Sequence, residues 1–380
     1  MPIQRVALRP ADTILGTQPG RFVPVSAAPE RGSMFGPRGV WAQPGGPLIV
    51  ADTGNHRVLI WHVLPTADAT PPDLVLGHSS FTSDERNRGA GPSASSLYVP
   101  TGVLLWQGRL LVADAWNHRV LVWRALPDAN GQPADFALGQ ATLGAGELNR
   151  GGSPRADTMY WPYGLATDGA RLYVADSNNR RVIVWHAMPD ACGQPADLVL
   201  GQGDFAGGEE NAGGAPTAAS MRWPHSIASD GARLLVADAG NNRVLVWNEL
   251  PRTSNQPADI VLGQNDFAAV SDNQGYRLGA ATLRFPYAVA LWNEQIVVAD
   301  TGNSRLMLWD DCAGLRSGAP ADGVFGQADF LQNGENRWKL AGRDTLCWPY
   351  GLSSCAGVLA IADSGNNRVL LWHGPGGSDD

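Results

Sequence analysis

Cysteine is scarce in this sequence of 380 residues. The spacing of the four cysteines matches no zinc-binding motif, and so few thiols favour a reducing compartment over a secreted scaffold held by disulfides. The four are Cys192, Cys312, Cys347 and Cys355. The N-terminal residues also lack the apolar stretch and the small-residue cleavage site of a signal peptide. We therefore expect a cytoplasmic protein.

Long apolar runs and an excess of basic residues are absent as well. No run of 18 apolar residues exists, so the sequence predicts no membrane-spanning helix. The formal net charge is −8, which argues against a nucleic-acid partner because phosphate contacts need a basic surface. Glycine (46 residues) and proline (27 residues) are abundant, and they indicate many turns between short strands.

What the sequence does contain is one unit repeated six times. Each copy starts with Val/Ile-Ala-Asp, continues through Asn-x-Arg and ends in Trp, as in "VADAWNHRVLVW" from Val112 to Trp123. The copies span residues 50–61, 112–123, 174–185, 236–247, 298–309 and 361–372. The period of about 62 residues accounts for nearly the whole chain, so residues 1–380 are expected to form a single domain.

Each unit contains four β-branched runs bounded by turn residues, such as "GLATD", "LYVAD", "RVIVWH" and "ADLVLG" in the third unit, and these runs predict short strands. Repeated four-stranded sheets predict an all-β, closed six-bladed β-propeller. We expect the tryptophan that ends each copy to fill the space between blades, with about 2–3 kcal/mol of stabilisation from each burial.

The N-terminus predicts how the ring closes. The segment "DTILGT" (Asp12–Thr17) matches the fourth strand of a unit, whereas the sixth unit stops after its third strand, near "LLWHGPG". Residues 1–17 are therefore expected to supply the outer strand of the last blade. Such closure removes an exposed sheet edge.

The repeated core resembles the NHL repeat, which is named for its Asn-His-Leu consensus. The "NHR" triplets at Asn55–Arg57 and Asn117–Arg119 are the best matches to that consensus. The resemblance implies a propeller used as a general platform, because relatives of this shape bind proteins or RNA, act as sensors, or are lyases and lactonases with a channel metal. A typical NHL unit is shorter, at about 40–45 residues by this resemblance. Most of the surplus here lies between the fourth strand and the next first strand, on the face of the Asn-x-Arg turns.

Residues common to all six units are expected to be structural, because a catalytic site needs its groups only once. In this interpretation the Asp and Arg of each turn pair with each other, as at Asp114 and Arg119. Glutamines of the "LGQ" segments and one asparagine in each long connection should order the loops. These asparagines are Asn87, Asn149, Asn211, Asn273 and Asn336.

Residues that differ between units are the better candidates for a site. One proline recurs in each unit, at Pro37, Pro100, Pro162, Pro224, Pro286 and Pro349. The residue after this recurrent proline should lie where each innermost strand begins, at the channel mouth. Around the ring this column comprises Arg38, Thr101, Tyr163, His225, Tyr287 and Tyr350. Histidine suits acid–base chemistry, and arginine suits a carboxylate or phosphate. The alternative is that these side chains simply plug the channel. Arg222 and Arg284, three residues earlier in their units, could form a local anion site together with Arg38.

Trp116 is a further candidate contact. Its column otherwise holds Asn178 and four glycines, Gly54, Gly240, Gly302 and Gly365. We interpret these as residues of a tight turn with positive φ. Tryptophan adopts this geometry less readily than glycine, and we expect Trp116 to expose an aromatic ring on the loop-rich face.

These observations favour a propeller, expected to be a monomer, that binds a protein, peptide or small molecule at its loop-rich face and channel mouth. The alternative is a lyase or hydrolase in which His225, Arg38 and Tyr163 take part in catalysis. No cofactor is predicted. The channel column has one histidine and no acid, too few side-chain ligands for zinc or calcium, although backbone carbonyls remain open as ligands of a channel metal.

Deletion of residues 1–20 tests the predicted closure. We expect the truncated protein to melt many degrees below the full chain, because the last blade loses its outer strand. Scanning calorimetry of the two proteins measures the difference, and an unchanged melting curve would contradict this topology.

Overall fold

The computed structural model describes residues 9–21, 28–310, 312 and 314–373. It contains six four-stranded antiparallel sheets arranged as the blades of a propeller, as the repeats predict. The first strand, β1 (Thr13–Gly16), precedes blade 1. Blade 1 comprises β2 (Gly39–Ala42), β3 (Leu48–Asp52), β4 (Arg57–Trp61) and β5 (Leu74–Leu76). Blade 2 comprises β6 (Pro100–Trp106), β7 (Arg109–Asp114), β8 (Arg119–Trp123) and β9 (Phe136–Leu138).

The remaining blades repeat this order from the inner to the outer strand. Blade 3 comprises β10 (Pro162–Thr167), β11 (Leu172–Asp176), β12 (Arg181–Trp185) and β13 (Leu198–Leu200). Blade 4 comprises β14 (Pro224–Ser229), β15 (Leu234–Asp238), β16 (Arg243–Trp247) and β17 (Ile260–Leu262). Blade 5 comprises β18 (Pro286–Trp292), β19 (Gln295–Asp300), β20 (Arg305–Trp309) and β21 (Gly323–Phe325). Blade 6 comprises β22 (Pro349–Cys355), β23 (Val358–Asp363), β24 (Arg368–Trp372) and β1.

Helical structure in the described residues is limited to single turns. One group joins the second and third strands of the blades: Thr53–Asn55, Ala115–Asn117, Ser177–Asn179, Ala239–Asn241, Thr301–Asn303 and Ser364–Asn366. The other group lies in the long connections between blades: Arg86–Gly89, Leu148–Gly151, Glu210–Gly213, Asn273–Tyr276 and Glu335–Trp338. We call the end of the propeller that carries both groups the turn-side face. Within the described part of the chain, no helix has the length and apolar character needed to cross a membrane.

The N-terminal strand closes the ring as predicted. Strand β1 pairs antiparallel with β24, so that Thr13 lies opposite Leu371 and Gly16 opposite Arg368. The paired segment is shorter than the expected residues 1–17, of which residues 1–8 lie outside the described residues. The last blade is therefore completed by strands from both ends of the chain.

Tryptophans fill the spaces between blades, which confirms the interpretation of their column. Trp123, only 1% exposed, belongs to an apolar cluster that also contains Ile49 and Leu76 of blade 1. Its indole Nε1–H donates to the carbonyl oxygen of Gln132 at 3.0 Å, so the buried polar atom is satisfied. Each of the other five copies likewise lies in a cluster shared by two neighbouring blades.

The recurrent aspartate and arginine form a buried ion pair in every blade. In blade 2, the Asp114 carboxylate accepts hydrogen bonds from Arg119 Nε at 2.8 Å, from Asn117 Nδ2 at 2.8 Å and from the backbone N–H of Tyr98 at 2.7 Å. Burial raises the pKa of this carboxyl group, whereas the guanidinium and the other donors lower it. The structural interpretation of this motif is confirmed.

The turn arginine and the turn asparagine also bind the long connections between blades. The Arg119 guanidinium donates to the carbonyl oxygens of Ser93 at 2.9 Å and Ser96 at 3.1 Å. Asn149 and Asn179 exchange two amide hydrogen bonds, at 3.0 and 2.9 Å. The expectation that the connection asparagines order the loops is confirmed, and the reason is this pairing with the turn asparagines.

Candidate functional site

The inner strands of the six blades surround a cavity of about 250 Å³ on the propeller axis. Neighbouring inner strands approach so closely that a Cβ at Gly102 would overlap the carbonyl oxygen of Tyr163. All six residues of the predicted channel column line this cavity: Arg38, Thr101, Tyr163, His225, Tyr287 and Tyr350. The residue after each recurrent proline therefore does face the channel.

Four of these side chains form a continuous aromatic arc. The His225 ring lies 4.3 Å from the Tyr163 ring and stacks on the Tyr287 ring, also at 4.3 Å and with 13° between the planes. Tyr350 continues the arc 4.6 Å from Tyr287. The Arg38 guanidinium carbon lies 4.8 Å from the centre of the Tyr350 ring, within the range of a cation–π contact.

His225 is held as a neutral imidazole of defined tautomer. Its Nδ1 lies 2.8 Å from the carbonyl oxygen of Trp223, and a carbonyl only accepts, so Nδ1 carries the hydrogen. Burial lowers the pKa of His225 to about 4. At neutral pH, Nε2 is therefore left as a hydrogen-bond acceptor.

The Arg38 guanidinium faces phenols rather than acids, and it forms no ion pair with any described residue. Tyr163 is 6% exposed; the Arg38 side chain is its hydrogen-bonding neighbour, and its hydroxyl hydrogen has no acceptor among the described residues. Burial raises the pKa of Tyr163, and the nearby Arg38 charge lowers it. Thr101 differs from its neighbours, because its hydroxyl lies 3.2 Å from the carbonyl oxygens of both Pro162 and Tyr163 and donates to backbone. Thr101 thus forms part of the wall and offers the cavity no free donor.

The other two arginines of the expected anion site do not line this cavity. The Nε atoms of Arg222 and Arg284 lie 3.2 Å from Glu210 and 3.4 Å from Asp272. Both guanidinium groups are paired with carboxylates from the long connections, so Arg38 is the arginine whose charge is directed to the channel.

Trp116 is exposed on the turn-side face, with 44% of its surface accessible. Its ring meets the edge of Tyr98 at 5.0 Å and lies 5.9 Å from Trp161. The interpretation of its column as a position of positive φ is wrong. Neither Trp116 nor the equivalent glycines have positive φ, whereas His118, two residues later, does, at 54°.

The glycines are required by close approach instead. A Cβ at Gly302 would lie 2.8 Å from the backbone oxygen and from Cγ of Arg284. At Gly365 it would lie 2.8 Å from the backbone oxygen of Cys347. The residue two positions before the recurrent proline folds over this part of the turn, and in blade 2 that residue is Tyr98, which packs edge-on against Trp116.

A left-handed residue before each of these prolines is a feature that sequence reasoning missed. Five of the six are not glycine, and their φ angles lie between 47° and 63°. The column consists of Gly36, Val99, Trp161, Trp223, Phe285 and Trp348. Left-handed backbone is strained for such residues. It places aromatic side chains beside the channel residues, as where Phe285 lies 6.4 Å from Tyr287.

The preceding blade holds this strained backbone in place in five of the six units. The N–H of Trp161 donates to His118 Nδ1 at 3.3 Å, and the N–H of Phe285 donates to Asn242 Oδ1 at 2.8 Å. Equivalent bonds join Val99 to His56, Trp348 to Ser304 and Gly36 to Asn367. In the sequence, these bonds are indicated by a side chain with a hydrogen-bond acceptor immediately before the turn arginine.

Replacement of His118 by asparagine tests this contact. Burial lowers the pKa of His118 from 6.5 to about 4, so its stabilisation is complete above pH 6.5 and is lost as the pH falls towards 4. Asparagine accepts the same bond, as Asn242 does, but does not titrate. We expect the fall in Tm between pH 7.5 and 4.5 to be about 3 °C smaller in His118→Asn than in the unmodified protein.

Scanning fluorimetry at the two pH values measures this effect, with His186→Asn as the control because His186 is exposed. An equal fall in Tm for His118→Asn and the unmodified protein would show that His118 does not hold the bond through Nδ1.

No group of three or more His, Cys, Asp or Glu side chains with the geometry of a metal site occurs among the residues that the structure describes. Cys192, Cys347 and Cys355 are free thiols.

Comparison with known proteins identifies one repeat and several propellers. Residues 97–123 match the family model described as "NHL repeat". No curated protein matches the sequence. The fold is similar to the WD40 β-propeller domain of Doa1, with 10% identity, coverage of 91% of this chain and 95% of that chain, and a TM-score of 0.46.

Two further solved structures are similar at the same level. A chain of the nidogen/laminin complex has 14% identity, coverage of 92% of this chain and 98% of that chain, and a TM-score of 0.43. Virginiamycin B lyase from Staphylococcus aureus, in a catalytically inactive form with quinupristin, has 10% identity, coverage of 91% and 86%, and a TM-score of 0.42. Likeness this distant carries no information about function.

The matched unit is one of six copies of a single pattern, and the six copies build a closed ring of four-stranded blades. The chain therefore folds as a six-bladed β-propeller in which one unit matches the NHL repeat.

Proposed function

We propose that this propeller is a binding protein that holds a protein or peptide partner on its turn-side face. The observation that carries the proposal is the distribution of exposed apolar side chains. Of the eight large hydrophobic residues that are exposed in the described chain, seven lie on the turn-side face: Phe35, Trp116, Leu148, Leu331, Trp338, Leu340 and Trp348. The eighth, Val63, follows the third strand of blade 1 at the opposite end.

The chemistry of these residues favours a polypeptide partner. Three of the seven are tryptophans, the residue type most enriched among interface positions that dominate binding energy. Exposed apolar side chains concentrated on one face of a protein mark interaction sites. The net charge of −8 makes a nucleic acid a poor partner for the same face.

Two further features concern the oligomeric state and the cellular location of the protein. The outer strands are only three or four residues long, so the blade edges offer little backbone for pairing with a second copy, and we propose a monomer. The small number of cysteines, four in 380 residues, favours the cytoplasm as its location.

A selection from a random peptide library displayed on phage tests the proposal. We expect selected peptides to bind with micromolar Kd and to bind Trp116→Ala at least about tenfold more weakly. Titration calorimetry with synthetic peptides measures the affinities, and Trp348→Ala is a second variant on the same face.

Val63→Ala is the matched control, because it removes exposed apolar surface from the opposite face. Equal losses in Val63→Ala and Trp116→Ala, or a library that yields no binder, would overturn the assignment of the face.

A second candidate, a lyase or hydrolase at the channel mouth, is favoured by the state of His225. This imidazole is neutral at pH 7, its Nδ1–H is fixed by Trp223, and its Nε2 is an acceptor beside Arg38 and Tyr163. Nε2 is unprotonated at neutral pH and can accept a proton as a weak base, while the arginine stabilises negative charge.

For a hydrolase, we expect turnover of p-nitrophenyl esters that rises through pH 4 and is level above it, because the pKa of His225 is about 4. His225→Gln should lose this turnover and Arg222→Gln, outside the cavity, should keep it. Stopped absorbance assays of p-nitrophenol release measure the turnover. Turnover that is independent of His225 would contradict a hydrolase site in the channel.

A further inference from the structure

The channel cavity contains one formal charge without a counter-charge. Arg38 is the one Asp, Glu, Lys or Arg residue that lines the cavity in the described chain. Arg119 in the blade interior lies 2.8 Å from Asp114, and Arg222 lies 3.2 Å from Glu210, whereas no described carboxylate pairs with Arg38. A partly buried guanidinium without an anionic partner is unfavourable, so an added anion is expected to complete this site.

Two neutral donors in the same cavity also lack acceptors. The Tyr163 hydroxyl and the Trp41 Nε1–H are both buried, and neither finds an acceptor among the described residues. Arg38 does not satisfy Tyr163, because a guanidinium only donates and the hydroxyl hydrogen still needs an acceptor. Buried polar groups without partners are uncommon and call for a missing acceptor.

We propose that the channel cavity binds a small organic carboxylate through the Arg38 guanidinium and the Tyr163 hydroxyl, with its body against the rings of His225, Tyr287 and Tyr350. An arginine fork matches the two oxygens of a carboxylate. The arc of rings supplies an apolar, flat surface for the rest of the ligand. This site is separate from the exposed apolar residues that carry the proposed partner binding.

The charge and size of the cavity decide for a carboxylate over a phosphate. A single guanidinium balances a monoanion, whereas a phosphate monoester carries close to two charges at neutral pH. Burial raises the pKa of Tyr163, and burial and the neighbouring Tyr350 raise that of Tyr287 to about 12, so both phenols stay protonated and neutral. The volume of about 250 Å³ lies below the roughly 300–1,000 Å³ of drug-sized pockets, which suits a ligand with one ring or a short chain.

Titration calorimetry with benzoate, benzamide and inorganic phosphate tests this proposal on the full chain. Benzamide has the shape of benzoate without its charge. We expect benzoate to bind at least about tenfold more tightly than benzamide, in keeping with a charged hydrogen-bonded pair.

Two variants in the cavity and one control complete the experiment. Arg38→Gln should weaken benzoate binding at least about tenfold and Tyr163→Phe about threefold or more, each with a melting temperature close to that of the unmodified protein. Arg222→Gln removes the same charge from outside the cavity and should leave the Kd for benzoate within about twofold.

Three outcomes would overturn the proposal. Equal affinity for benzoate and benzamide would show that charge is not recognised. Tighter binding of phosphate would assign the site to a different anion. Absence of saturable benzoate binding, or binding that survives Arg38→Gln, would show that the cavity holds no carboxylate, and it would leave the peptide-binding test with Trp116→Ala unaffected.

Discussion

Each blade depends on one buried ion pair between the aspartate that ends its second strand and the arginine that begins its third. The Asp238 and Arg243 side chains, like their five equivalents, are 0% exposed. Isolated buried charges are costly, but here the carboxylate also accepts from Asn241 and from the backbone of Arg222. The guanidinium donates to carbonyl oxygens of the connection that precedes its blade. One pair therefore holds the turn, the long connection and the chain just before the inner strand.

The position of the channel mouth follows from that pair. The aspartate binds the backbone N–H of the residue two positions before the recurrent proline. The preceding blade binds the N–H of the residue directly before that proline, through an acceptor such as Asn242. The residue after the recurrent proline then faces the axis in every blade. Because the backbone is repeated and rigid, one blade can carry an arginine there, another a histidine and three a tyrosine without a change of fold. The result is a polar and aromatic pocket on a uniform frame.

Much of the fold and the channel position could be predicted, because the number and the internal pattern of the repeats define the blades. The six copies predicted the number of blades, the match of "DTILGT" to a fourth strand predicted the closure, and the residue after each proline was correctly placed at the channel. The reason for the glycines at the Trp116 column was misjudged. A glycine that gives positive φ and a glycine that avoids a neighbouring chain look identical in sequence, and only the position of residues such as Arg284 over Gly302 distinguishes them.

The sequence by itself determined the number of blades, the strand order and the residues shared by every turn, since these depend on local pattern and on repetition along the chain. Only the tertiary structure decided which of the variable residues act together. Arg38, Arg222 and Arg284 are equally cationic in sequence, but a carboxylate from a long connection neutralises each of the last two, and no carboxylate in the described part of the chain pairs with Arg38. Such pairing depends on how loops fold back over the turn-side face, which spacing along the chain does not encode. That difference in partners is the physical reason why the charge of Arg38 alone is left for the channel.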